Sequence, residues 1–263
     1  MTAKAQRIPV LMYHRIGTAH NEWESRYCIP PEQFARHMQH LAKRGMRACS
    51  LADFIAWLDR KQTLPEGSFL LTFDDGFMGV YEHAAPVLQE LNWPATVFLV
   101  SKLIGKRDDW CQSQNPSGAT FPLLAREHIN TLRNSGFTFQ SHTRLHPDLT
   151  TLSDDDLIAE LAGSRQDLED LLGEQVHYLA YPYGRLDERV LDSTRAAGYT
   201  AAFSTQPGFN RRAVNHYRIR RLDIFGTDTA TMLARKIFFG SNDGSWQQTW
   251  RYYKGRVADR LGR

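Results

Sequence analysis

Short apolar runs alternate with helical patterns along most of the chain. Segments 9–16 (PVLMYHRI), 68–73 (SFLLTF), 95–100 (ATVFLV), 137–141, 178–180, 199–204 and 217–224 read as strands. Between them, 31–44 sets Phe34, Met38 and Leu41 on one helical face. Segment 154–172 repeats Leu157, Leu161, Leu168 and Leu171, and Gly173 closes it. Segments 81–91, 124–134 and 187–197 read as further helices, the last two ending at Ser135-Gly136 and Gly198. Strands that are apolar on both faces and alternate with helices predict a parallel sheet covered by helices. Seven such strands predict an α/β fold, a distorted (β/α) barrel, with its chemistry at the C-terminal ends of the strands. No repeat, low-complexity tract or long linker divides the chain. The polar stretch 101–120 reads as a long loop bordering that face.

Composition narrows the class. The 263 residues, 42% of them hydrophobic, suit one barrel of about 250 residues and exclude disorder. No apolar run approaches the ~18 residues of a membrane span, and the first seven residues lack the apolar core of a secretory signal. Three cysteines without a CxxC pair give neither a disulfide framework nor a thiolate zinc site. A cytoplasmic protein is therefore expected. The net charge of +3 is uneven, because 246–263 carries five cations against Asp259, a net of +4, which leaves −1 for the rest. A body without a basic stripe disfavours nucleic acid as a partner. Trp246, Trp250, Tyr253, Val257 and Leu261 share one helical face, with Arg251, Lys254, Arg256 and Arg260 around the remainder. Residues 1–245 thus read as a catalytic barrel and 246–263 as a basic amphipathic helix. That helix either docks on the barrel or makes peripheral contact with anionic lipid at the inner face of the membrane. Nothing in the sequence addresses oligomeric state.

Three polar clusters fall at predicted strand ends. Asp74-Asp75-Gly76 follows 68–73, and adjacent carboxylates repel unless a cation relieves them. Ser141-His142-Thr143-Arg144-Leu145-His146-Pro147 ends 137–141, and imidazoles four residues apart can meet one ion on a helical turn or a tight loop. Pro147 favours the loop. Tyr181-Pro182-Tyr183-Gly184 follows 178–180. Taken singly, each cluster reads equally well as an ordinary turn or as surface decoration. Their joint placement after three separate strands points to one metal-assisted site.

These motifs, with Thr72-Phe73 ahead of Asp74, resemble the polysaccharide deacetylases (carbohydrate esterase family 4) over about 9–224. The opening Val10-Leu11-Met12-Tyr13-His14 is similar to the subgroup containing the poly-N-acetylglucosamine exopolysaccharide deacetylases. The resemblance implies a distorted (β/α) barrel and metal-dependent hydrolysis of acetyl groups on carbohydrates. It implies Asp74 as catalytic base and Asp75, His142 and His146 as ligands of one divalent metal. Zn2+ is expected, and Co2+, Ni2+ or Fe2+ also suit a mixed carboxylate–imidazole set. It further implies an oxyanion-binding backbone N–H at Tyr183, next to Pro182.

Three positions depart from the family pattern. Phe225 stands where many relatives carry the proton-donating His, so His14, at the end of the first strand, is read as the acid or a substrate contact. Ala180 replaces an Arg that pairs with the base, so Arg221 is read as orienting Asp74, with Arg220 or Arg185 as alternatives. Gln140 replaces a Gly before the Ser-His pair. In the loop 106–121, Trp110 offers a flat face for stacking on a sugar or for anchoring the loop, and Cys111 reads as passive packing. The expected function is removal of N-acetyl groups from an N-acetylhexosamine-containing glycan or precursor. Alternatives are a deformylase or deacetylase of a lipid-linked aminosugar, a catalytically inactive glycan-binding barrel, and a glycosidase, which leaves the His pair unexplained.

Overall fold

A computed structural model describes residues 6–247 and residue 250. Ten strands occur there: β1 (Val10–Tyr13), β2 (Arg15–Ile16), β3 (Cys28–Ile29), β4 (Arg47–Cys49), β5 (Ser68–Phe73), β6 (Ala95–Leu99), β7 (Phe137–Ser141), β8 (Tyr178–Ala180), β9 (Ala201–Phe203) and β10 (Leu222–Asp223). The helices are α1 (Glu22–Tyr27), α2 (Pro31–Lys43), α3 (Leu51–Leu58), α4 (Ala85–Glu90), α5 (Arg126–Arg133), α6 (Asp154–Leu172), α7 (Glu188–Ala196) and α8 (Ala230–Phe239).

Seven parallel strands run in the order β10-β1-β5-β6-β7-β8-β9, and β4 joins β5 as an eighth. Leu70 pairs with both Val10 and Cys49, so β4 occupies the edge of β5 below the point where β6 begins. The ring closes on the stretch leading into β10. Ile219 forms a single parallel bridge to Phe203 of β9, and three residues later Leu222 pairs with Leu11 of β1. A seam one bridge wide is what makes the barrel distorted, and it shortens the strand expected over 217–224 to two residues.

Period-two alternation divides the strand side chains between two cores. Leu11, Tyr13, Leu71, Phe73, Val97 and Phe139 face the layer covered by α2, α5 and α6. Val10, Leu70, Phe98, Ala180, Phe203 and Ile219 point inside the barrel and meet Leu51, Phe54, Trp57 and Leu58 of α3. Helix α3, capped where Ser50 accepts from the Asp53 N–H, therefore plugs the end at which the strands begin. The opposite end stays open for chemistry.

The strand expected over 9–16 is interrupted at His14, and the helix expected over 81–91 begins as a π turn at Val80–Ala84 before α4. Helix α6 caps on Ser153, and Gly173 takes the left-handed conformation that ends it. Among the described residues no helix is long and apolar enough to cross a membrane. The helix expected at 246–263 lies almost wholly outside the described residues, of which Trp246 is 72% exposed.

Candidate active site

The open end of the barrel holds a cleft of about 1000 Å³ whose lining includes His14, Asp74, Asp75, Trp110, His142, His146 and Tyr183. Each comes from the C-terminal end of a strand or the loop after it. Asp74 N–H donates to Tyr13 O at 2.9 Å, which extends the β1–β5 ladder one step into the site. The chain then turns sharply, with Asp75 at φ 71° and Gly76 at φ 80°. A Cβ on Gly76 would lie 2.7 Å from Leu99 Cδ2, so any other residue would have to displace the buried Leu99 side chain and also take up the left-handed backbone.

Six non-glycine residues with positive φ occur among the described residues, and four lie in this site: Asp75, Thr143, His146 and Tyr183. Such conformations cost roughly 1–3 kcal/mol each and persist only where their surroundings enforce them. Around the histidine loop the enforcement is visible. Thr143 N–H donates to Ser141 Oγ and His146 N–H to Thr143 Oγ1, while the N–H groups of Arg144 and Leu145 both donate to Glu160 Oε2 at 2.8 and 3.0 Å.

This turn brings His142 and His146 onto Asp75. Their Nε2 atoms lie 3.4 and 3.3 Å from Asp75 Oδ1, a buried oxygen with no hydrogen-bond donor. One ligand atom from each of the three residues falls within 4.8 Å of the others. Nδ1–H of His142 donates to Ala180 O at 2.8 Å, which aims Nε2 at the cluster. A buried carboxylate oxygen facing two imidazole nitrogens, without donors of its own, fits a divalent cation. The electrostatics agree. Burial opposes ionisation of Asp75, but the two imidazoles outweigh it and hold the carboxyl well below the usual range. Burial pushes His146 down to about 3, so it is neutral and able to ligate.

Asp74 is 2% exposed, and Arg221, fully buried, donates to its Oδ1 from Nη1 at 2.6 Å. Arg221 Nε–H donates to Ser204 O at 3.0 Å, which fixes the guanidinium. Burial disfavours the Asp74 carboxylate, and Arg221 reverses the balance, so its pKa lies below the ordinary value. Its Oδ2 is left facing the cluster, 3.9 Å from His142 Nε2. Arg220 and Arg185 point elsewhere, to Pro207 O and Asp148.

His14 lines the cleft with its ring 5.2 Å from that of Tyr27. Trp110 stacks on His146 at 4.7 Å, and Tyr183, 44% exposed, meets the same imidazole edge-on. Pro182 is buried and is not among the cleft-lining residues. Without an N–H it can donate nothing, so its contribution is to the backbone before Tyr183. Gln140 accepts from the His177 and Tyr178 N–H groups, tying β7 to the start of β8 where the two strands share one backbone pair. Phe225 packs on Lys236, 4.3 Å from its ring centroid. Cys111 keeps a strongly raised thiol pKa through burial and the neighbouring Asp108, as a packing residue should.

The cleft also holds residues the sequence pattern did not single out: Trp23, Arg26 and Tyr27 of α1, Phe121 from the loop, and Asp223 from β10. The supporting Glu160 was equally hidden. Helix α1 is only six residues long and has no apolar repeat, and Glu160 sits in an acidic helix that reads as a solvated face.

A parallel barrel plugged at one end carries at the other a carboxylate–imidazole cluster that could hold a metal ion, beside a buried carboxylate–arginine pair. Residues 61–202, more than half of the chain, match the family model for polysaccharide deacetylase, and the chain belongs to that family. The matched stretch contains Asp74, Asp75, His142, His146 and Tyr183 but neither His14 nor Arg221. The chain is 27% identical over 223 residues to YxkH of Bacillus subtilis (strain 168), covering 85% of this chain and 73% of that one. It is 25% identical over 208 residues to the poly-beta-1,6-N-acetyl-D-glucosamine N-deacetylase of Staphylococcus epidermidis, covering 74% and 68%. Among solved structures, IcaB from Ammonifex degensii aligns with a TM-score of 0.71 at 25% identity, over 83% of this chain and 91% of that one. Carbohydrate deacetylation is the chemistry these relationships support.

Proposed function

We propose that the protein is a metal-dependent N-deacetylase of an N-acetylhexosamine-containing glycan or glycan precursor. The observation that carries this reading is the convergence of Asp75, His142 and His146 beside the Asp74–Arg221 pair on one cleft floor. Asp75, His142 and His146 would hold the cation, with Zn2+ the first candidate. A cation bound there supplies Lewis acidity toward the acetyl carbonyl and the attacking water.

The chain's own groups divide the rest of the reaction. Asp74, kept ionised by Arg221, takes a proton from the water through its free Oδ2 as the oxygen adds to the acetyl carbon. The left-handed turn at Tyr183 presents a backbone N–H to the developing oxyanion. The C–N bond then breaks, and His14 delivers a proton to the departing amine, leaving acetate and an amino sugar. His14→Gln is expected to lower kcat on an N-acetyl sugar by about 10²–10⁴-fold while 4-nitrophenyl acetate, whose leaving group needs no proton, is hydrolysed almost normally. Equal losses on both substrates would remove His14 from this role.

The test of the function is acetate release from N-acetylated oligosaccharides, beginning with a β-1,6-linked N-acetylglucosamine pentamer. Lipid-linked aminosugars are screened beside it, each with and without chelator. Activity that survives complete metal removal contradicts the proposal. Residues 1–245 act as the catalytic unit in this reading, and 246–263 place it at anionic lipid from the cytoplasmic side. Deleting 246–263 is expected to abolish sedimentation with phosphatidylglycerol vesicles and leave acetate release intact. Unchanged sedimentation refutes the membrane role.

A further inference from the structure

We infer that Glu24 is a positioning residue: it fastens the 106–121 loop to α1 and so builds a sugar-binding wall beside the metal-ligand cluster. The inference rests on the glycan reading above and assigns to this wall the rings next to the one being deacetylated.

Glu24 is 3% exposed, and a buried carboxylate is costly unless it is paired and hydrogen-bonded. Here five donors from three segments converge on it. Arg15 Nη2 donates at 3.0 Å, the His20 N–H at 2.9 Å, Asn21 Nδ2 at 3.2 Å, Asn115 Nδ2 at 3.0 Å and Ser117 Oγ at 3.4 Å. The last two lie more than 90 residues away in sequence, on the loop. Asn21 Nδ2 also donates to Asn115 Oδ1 at 2.9 Å, which doubles the junction. Two further contacts pin the end of the loop. The Arg15 guanidinium sits 3.5 Å over the Phe121 ring, and the His20 ring lies parallel to that ring at 6.5 Å.

The joined segments face the cleft with Trp23 and Tyr27 from α1 and with Trp110, Gln114 and Phe121 from the loop. Trp110 reaches His146, so the wall starts at the ligand cluster and runs outward from it. Aromatic faces interleaved with polar groups are what a pyranose ring needs, stacking below and hydrogen bonding at the edge. A cleft of about 1000 Å³ lies at the upper end for ligand sites and has room for more than one ring. Tyr27 and Trp110 border His14 and His146 at the inner end of the wall. None of the five hydrogen bonds to Glu24 reaches His14, Asp74, Arg221 or the ligand cluster, so loosening the junction is expected to act on binding before it acts on bond breaking.

All five partners of Glu24 are donors, so a carboxylate can satisfy them and an amide cannot. Glu24→Gln presents an NH2 to at least one of them and loses the charge that Arg15 pairs with. Asn115→Ala opens the same junction from the loop side without altering Glu24. The experiment compares wild type, both single variants and the double variant, each metal-loaded, on the β-1,6-linked N-acetylglucosamine pentamer and on 4-nitrophenyl acetate. Trypsin cleavage after Lys106 and Arg107, both exposed at the start of the loop, is followed in parallel. The expected result is a KM for the pentamer raised about tenfold or more, with kcat and ester turnover within about twofold of wild type. Cleavage at the loop is faster, and the double variant is no worse than the poorer single one. Equal losses on pentamer and ester, or an unchanged cleavage rate, overturn the inference. If wild type acts on the pentamer and the variants keep its KM, the inference alone falls. If wild type releases acetate from no oligosaccharide, the glycan reading falls and takes the wall with it.

Discussion

Asp75→Asn is expected to empty the proposed metal site and abolish acetate release, whereas Asp74→Asn is expected to keep the metal and lose turnover. Asn is the right replacement at position 75 because it tolerates the left-handed backbone that Asp75 adopts at φ 71°, which Ala would strain. It also removes the charge that the two imidazoles face at 3.3–3.4 Å. Losing a direct ligand should weaken metal affinity by more than the roughly 10–100-fold typical of outer hydrogen-bond partners. At position 74 the same change leaves the three proposed ligand atoms in place and removes the proposed proton acceptor, for an expected loss of about 10²–10⁴-fold in kcat. Metal content of the purified variants by elemental analysis, beside kcat and a thermal melt, separates the two. Equal metal loss in both variants refutes the division of roles.

What could be read from the residues alone was local. Asp74-Asp75-Gly76 and His142-x3-His146 are short, lie directly after apolar strands, and carry their chemistry in their spacing. Apolar strands at 68–73 and 95–100 made the barrel legible for the same reason: each is buried on both faces, so its pattern needs no partner to be seen. The hidden parts depend on segments distant in sequence. The closing seam at Ile219 is set by where β9 and β1 stand, and no periodicity in 217–224 announces a strand cut to two residues. Helix α3 has apolar residues on most of its surface, a pattern that becomes intelligible only as a plug with the barrel interior around it. Glu24 and Glu160 look like ordinary surface acids in a linear chain. Only the fold surrounds the first with five donors and sets the second against two backbone N–H groups. Arg221 lies between these cases: it precedes the short β10, the missing Arg at position 180 pointed to it as a partner for Asp74, and the contact itself spans 147 residues of sequence.

That contact carries the second large effect. Arg221→Met is expected to destabilise the protein by about 3–5 kcal/mol at neutral pH, the cost of leaving one charge of a buried pair without its partner. In the native protein the folded pKa of Asp74 is depressed, so the carboxylate contributes stability above its unfolded pKa and loses that contribution as pH falls through the lower, folded value. Removing Arg221 leaves burial as the largest influence, opposed by the weaker pull of His142 and His14, so the folded pKa is expected to rise from its depressed value. The variant should therefore be least stable, relative to wild type, at neutral pH, and should recover part of the deficit as the pH falls through the raised pKa of Asp74. Catalysis shifts with it: the acidic limb of the kcat/KM profile moves to higher pH, because the base must lose its proton before it can act. Arg221→Lys, which keeps a positive charge but not the fork that reaches Ser204 O and Asp74 together, should fall between wild type and Met in both measurements. Thermal melts and kcat/KM from pH 4 to 8 test this directly. An acidic limb that stays in place while stability drops would assign Arg221 to the barrel seam alone and leave Asp74 without a partner that tunes it.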